Sequence, residues 1–175
     1  MTITQQLTTI DQQPRTIPTV DEAWQLYVDV FTGIHAMAAQ QHRMGHLEFC
    51  EFFHDPAILK FFCRDGAGAL SGMSVLTNDI DAWPVLSREF FAARYPEHFS
   101  RGAIWYVGFV GVRRGHTHGF RDLVTQMYPY VLSTGGVVGM DFCTYNTVNR
   151  RLPEITRKLL SSMNEATRME IVDQH

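Results

Sequence analysis

The chain has 175 residues, 45% of them hydrophobic and 19% charged. That composition suits one domain of ordinary size with a sizeable core and excludes a disordered chain. A formal net charge of -3 at pH 7 excludes the basic footprint of a nucleic-acid binder, and no apolar run approaches the roughly 20 residues of a membrane span. Three cysteines, Cys50, Cys63 and Cys143, are odd in number and widely spaced. They argue against a disulfide framework or a cysteine zinc site, and for a reducing, cytoplasmic setting.

Residues 1–18 are polar and rich in Gln and Thr. They read as a flexible N-terminal arm without the apolar stretch of a signal peptide, ahead of one domain over 19–175. A helix is expected from Asp21, capped by Thr19 or Asp21, because Trp24, Leu26, Tyr27, Val30, Phe31, Ile34 and Met37 recur at helical spacing. A short helix is expected over Leu47–Phe53. Strands at 58–64 and 69–77 flank the turn Asp65-Gly66-Ala67-Gly68 and read as a hairpin. The connection 78–102 is too long to be bare loop, and Ser87 can open a helix in it.

Residues 103–112, AIWYVGFVGV, read as a central strand covered on both faces. Gly108 and Gly111 mark a bulge or a close backbone approach in it. The turn RRGHTHG leads into a helix over 120–133, with Pro129 inside it and Gly135-Gly136 after it. A buried strand is expected at 137–145, a helix at Pro153–Met163, and a last edge strand at 169–173. The strand–helix–strand crossover makes two parallel neighbours and the hairpin is antiparallel. The expected fold class is therefore α/β, a single-domain mixed sheet flanked by helices on both faces.

The segment VGVRRGHTHGFRDLV passes from a buried strand through a basic, Gly-bearing turn into a helix N-terminus. Helix dipole and backbone N–H groups there favour an anion, and Arg113 and Arg114 add charge. The segment lacks the Gly-Lys-Ser/Thr of a P-loop and the G-x-G-x-x-G of a dinucleotide site. In this element order it resembles the GNAT superfamily of acyl-CoA-dependent N-acyltransferases. That superfamily has a bulged central strand, a pyrophosphate loop R/Q-x-x-G-x-G/A, a helix, and a splayed strand ending near an Asn. This chain offers Arg114-x-x-Thr117-x-Gly119, with Thr117 where a Gly is usual, and Asp141 and Asn146 on and after the next strand. The segment HLEFCEFFHDPAILKFFCRDGAGALSGMSVLT and the insertion DAWPVLSREFFAARYP look closer to the N-acyl amino acid and acyl-homoserine-lactone synthase branch.

The resemblance implies an acyl-thioester co-substrate, acyl-CoA or acyl carrier protein, with no permanently bound cofactor, and a small amine or amino-acid acceptor. It implies donor binding by Val110, Val112, Arg113, Arg114, Gly115, Thr117, His118, Gly119 and Asn146. The chemistry needs a carbonyl polarised by a backbone N–H near Val107–Phe109, a base and an acid. Glu89, His98 and Asp141 are the candidate bases; Tyr106 and Tyr145 are the candidate acids. A non-catalytic domain of the same fold, binding a small molecule or a protein, is the rival reading.

His42 and His46 stand at i, i+4, but Gly45 weakens the helix this spacing needs, and the expectation is no metal site. The Phe residues at 49, 52, 53, 61, 62, 90 and 91 are core, the wall of an acyl tunnel, or a homodimer surface.

Overall fold

The computed structural model describes residues 17–35, 44–83, 86–116 and 118–170, the side chains of 33–35 excepted. Ile34 as a side chain, Met37, His42, Thr117, 171–173 and all but the end of the 1–18 arm lie outside that description.

A four-stranded sheet in the order β1-β2-β3-β4 forms the centre. Strand β1 (Leu59–Arg64) and strand β2 (Leu70–Thr77) make the expected antiparallel hairpin. Its turn is held by Asp65, whose carboxylate accepts from the N–H groups of Ala67 and Ala69, and by Gly68 at φ 83°. Strand β3 (Ile104–Val112) runs antiparallel to β2, and strand β4 (Val137–Met140) runs parallel to β3. The right-handed crossover expected of such a pair is supplied by helix α5 (Gly119–Ser133), which continues through Pro129.

Helices cover both faces, as the near-continuous apolar run of β3 requires. On one face lie α1 (Val20–His35) and α2 (His46–His54). Thr19 accepts from Glu22 N–H at the start of α1. Leu26, Tyr27, Phe49 and Phe52 pack there with Met73 and Val75 of β2. On the other face α5 packs Leu123, Val124 and Met127 onto Phe61, Leu76, Trp105 and Val107. Helix α7 (Leu152–Met163) adds Leu159, Leu160 and Met163 to the same cluster.

The connection after β2 folds into a 3₁₀ turn (Ile80–Ala82) and two short helices, α3 (Arg88–Arg94) and α4 (Pro96–Ser100). Ser87 caps α3 as expected, its hydroxyl accepting from Phe90 N–H at 3.1 Å. Ile80 and Phe91 bury with Ile104 and Tyr106 on the α1 face of β3. Much of the insertion is therefore ordinary core.

Two expectations need correction. The strand at 137–145 ends at Met140 and is half-buried, and α6 (Thr144–Val148) begins four residues later. β3 pairs with β4 only as far as Val107, so nothing extends the ladder beyond Met140. At the C-terminus, 169–170 are not strand; Glu170 instead accepts a hydrogen bond from Tyr95, just after α3, and pairs with Arg94. No helix among the described residues is long and apolar enough to cross a membrane.

The parallel pair depends on a close approach at Gly136. A Cβ there would stand 2.6 Å from the carbonyl oxygen of Ala103 and 2.7 Å from Thr134 Oγ1. The same Ala103 carbonyl accepts from Val137 N–H, so it has little freedom to move. Gly136→Ala should cost roughly 1–3 kcal/mol of stability through overpacking. Gly66→Ala, with nothing within 4 Å of its Cβ, should stay within about 0.5 kcal/mol of the parent. Urea unfolding of both variants checks the difference.

Candidate functional site

The decisive local feature is the path of β3. In its pairing with β2, Val75 faces Phe109 and Leu76 faces Val107, which leaves Gly108 as an extra residue. That is a β-bulge at the first of the two glycines singled out in the sequence. The bulge reverses the alternation of faces. Trp105 and Val107 belong to the α5 side, and so do Val110 and Val112, three and five residues beyond Val107. Tyr106 and Phe109 belong to the opposite side. Gly111 serves a different purpose: a Cβ on it would meet Phe31 at 3.0 Å and Val30 at 3.2 Å, so it admits α1 close to the sheet.

Beyond Val107, β3 has no strand neighbour on its β4 side among the described residues, because the parallel ladder stops at Val107↔Met140. Backbone groups in an antiparallel strand point alternately to either side. Arg113 N–H donates to Ser71 O at 2.8 Å, so residues 109, 111 and 113 point toward β2. Val110 and Val112 therefore turn their N–H and C=O groups to the open side. Five residues of strand thus present a one-sided, unpaired edge where the two parallel strands part.

At the parting point the structure brings together Tyr106 and Asp141. The Tyr106 hydroxyl, on a side chain only 4% exposed, donates to Asp141 Oδ2 at 2.5 Å. Asp141 is exposed, not buried in a strand as its apolar neighbours suggest, because the chain leaves the sheet there. Burial, and then the hydrogen bond and charge of Asp141, hold the Tyr106 phenol well above its usual range. Glu89 does not share this arrangement. It lies on the exposed side of α3, two residues from the inward Phe91, and accepts from Ser87 Oγ at 3.3 Å. His98 is half-buried on α4, and Tyr145 stacks under the Arg150 guanidinium at 5.5 Å.

The turn after β3 is compact. His116 N–H donates to Arg113 O, Gly115 sits at φ 91°, and Gly119 N–H donates to His116 O. Gly119 is required because the His116 ring and Val112 Cγ1 occupy the place a Cβ would take. Arg113 pairs with Asp29 of α1 at 2.9 Å. Arg114 and His118 are exposed. Two buried polar atoms have no partner among the described residues in the connections leaving β3 and β4: His116 Nε2 in the first and Asn146 Oδ1 in the second. Sequence reasoning placed Asn146 and His118 among the donor residues, with His116 beside them in the turn as a group able to line it or contact a phosphate. Its close seat on Gly119 could have been suspected from the two-residue spacing of His116, His118 and the helix start, but nothing marked which ring would turn inward.

Charge is unevenly spread. Residues 113–158 carry Arg113, Arg114, Arg121, Arg150, Arg151, Arg157 and Lys158 against Asp122, Asp141 and Glu154 alone, in a chain of net charge -3. No cluster of three or more His, Cys, Asp or Glu among the described residues is placed to hold a metal ion. His46 Nε2 lies 3.8 Å from Cys50 Sγ and 4.0 Å from Asp21, while His42 lies outside the described residues.

No family model matches the chain, and no curated protein matches it. Among solved structures, the chain is similar to a tetramutant of the BH1408 protein from Bacillus halodurans. The two share 12% identity over 90% of this chain and 96% of that one, with a TM-score of 0.52. At that identity the likeness concerns the fold alone.

The Tyr106–Asp141 contact has a pH signature. The unfolded phenol ionises near 10.0, while the folded one keeps its proton to higher pH. The contribution to stability is therefore full below pH 10 and is lost as pH rises from there through the folded value. Tyr106→Phe should lose stability less steeply than the parent between pH 9 and 11 in urea unfolding. Equal slopes for the two proteins would show that the phenol is not held in this way.

Proposed function

We propose that the protein is an N-acyltransferase of the GNAT type, moving an acyl group from a thioester to the amine of a small molecule or amino acid. The observation that carries this reading is the bulged strand β3, which outruns its parallel neighbour and leaves the backbone of Val110 and Val112 unpaired on that side among the described residues. An extended pantetheine arm carries amides that can pair with such an edge as a further strand would. The basic turn at Arg114, the dipole of α5 and the cationic excess over residues 113–158 suit the phosphates of CoA or of a carrier-protein arm. The orphaned His116 Nε2 supplies a further polar atom beside the helix start.

The roles follow from place. The bulge at Gly108 frees backbone N–H groups near the point where the strands part, and these polarise the thioester carbonyl. Asp141, exposed at the same point, takes a proton from the amine directly or through one water. Tyr106 keeps its hydrogen at neutral pH and orients the carboxylate. Its O–H, at the same parting point, is the acid assigned to the departing thiolate. Glu89 on the outer side of α3 is left without a catalytic role. The donor site then comprises Val110, Val112, Arg114, Gly115, His118, Gly119 and Asn146, with Thr117 outside the described residues and Arg113 acting through its pairing with Asp29.

Isothermal titration with free CoA tests the donor site. The parent should bind, and Arg114→Ala should weaken binding about 10- to 100-fold, the equivalent of one charge-assisted hydrogen bond of about 1.5–3 kcal/mol. No binding by the parent, or equal affinity in the variant, would count against it. Asp141→Asn should leave CoA affinity intact and lower the rate of thiol release from acyl-CoA in the presence of amine acceptors. A parent that binds CoA yet releases no thiol with any amine would point instead to a non-catalytic binding domain.

A further inference from the structure

The bulge is not open on its α1 side. A Cβ on Gly108 would stand 2.5 Å from Trp83 Cη2, 2.6 Å from its Cζ2 and 2.9 Å from its Cζ3. The benzene edge of the indole thus rests on the bulged backbone. The ring is held there from two sides, at 5.7 Å from Phe52 in an edge-on contact and 6.3 Å from Tyr106. Trp83 itself is only partly buried. It belongs to both apolar clusters of this face, the α1–α2 cluster and the one built by the insertion.

This position has a consequence for any acyl group polarised at the bulge. The carbonyl carbon must lie beside the Gly108 backbone, and the chain beyond it must run past that point on one face of the sheet. On the α5 face the space is filled by Trp105, Val107 and Val110 packed on Leu123 and Val124. On the other face the Trp83 ring lies against that backbone. We infer that Trp83 is the end wall of the acyl subsite and restricts the donor to short acyl chains. The inference rests on the acyltransferase reading and adds to it the residue that sets chain length. Behind the wall stand further apolar rings, with Phe52 5.9 Å from Phe109 and Phe109 5.6 Å from Tyr27. Removing the indole therefore opens onto apolar surface, which favours alkyl chain over water.

Titration of the parent and of Trp83→Ala with free CoA, acetyl-CoA and octanoyl-CoA tests this. Free CoA should bind both proteins equally, which reports on the donor site alone. The parent should prefer acetyl-CoA. In Trp83→Ala the octanoyl-to-acetyl affinity ratio should rise tenfold or more, since burying even two more methylenes is worth about that factor. An unchanged ratio overturns the inference while leaving the acyltransferase reading in place. Should the Ala variant fail to fold, Trp83→Leu, which keeps part of the volume, should move the ratio the same way by less, and no movement there overturns the inference as well. Free octanoate covers the case in which the parent binds no CoA. Stabilisation of the variant but not the parent by octanoate supports an apolar subsite closed by Trp83. Stabilisation of both or of neither overturns it.

Discussion

One extra residue in β3 governs the arrangement of everything around it. Without the insertion at Gly108, strict alternation would place Phe109 with Trp105 and Val107 under α5. The bulge instead returns Phe109 to the α1 face, where it packs against Tyr27, Phe31 and Phe52. Val110 and Val112 go back to the α5 face. Each half of the strand thereby supplies large side chains to both helical layers. A bulge also bends and twists its strand, and β3 parts from β4 at the same residue. The loss of one ladder and the repair of two cores are thus a single event, located at a residue with no side chain.

The polar contact at the parting point is a consequence of that event. Tyr106 is the last residue of β3 before Val107 to share a rung with β4, opposite Gly139. A Cβ on Gly139 would lie 3.2 Å from the Tyr106 ring and 3.6 Å from Phe91, so glycine there lets both rings come close to β4. The phenol reaches the end of β4 and finds the carboxylate of Asp141, where the chain has just left the sheet. A buried hydroxyl needs such a partner. Asp141 meets the need and remains open to water.

Much of this was legible from residue pattern. The helical spacing of Trp24, Tyr27 and Phe31, the turn at Asp65-Gly66-Ala67-Gly68, the cap at Ser87 and the crossover from β3 through α5 all lie where the local chemistry put them. Gly108 and Gly111 were both marked, but only pairing with β2 could decide which was the bulge, since either glycine is free to adopt it. The end of β4 was not legible. Residues 137–145 carry the largely apolar run of a buried strand, and what stops the strand at Met140 is the course of its neighbour, a long-range fact. Arg113 and Arg114 are indistinguishable as neighbours in the sequence. Their separate fates depend on Asp29, 84 residues away from Arg113.

That separation tells how the first helix serves the site. Helix α1 is tied at one end to the hairpin, through Glu22 and Arg64 at 2.8 Å, and nearer its other end to the turn after β3, through Asp29 and Arg113. Both pairs are partly exposed, and each contributes no more than about 1 kcal/mol. Their value is positional. Arg113 N–H is already anchored to Ser71 O in β2, so the ion pair fixes the side chain of a residue whose backbone is fixed. The turn then has little freedom before Gly115. Arg114, exposed and next in the chain, is carried on that anchored stem and points into solvent beside the start of α5. On the proposed reading, an anion at Arg114 would meet a side chain whose backbone is already ordered, so less conformational freedom is lost than on a mobile loop. Pairing Arg113 with α1 and leaving Arg114 exposed are therefore complementary parts of one arrangement, in which the first residue positions the second.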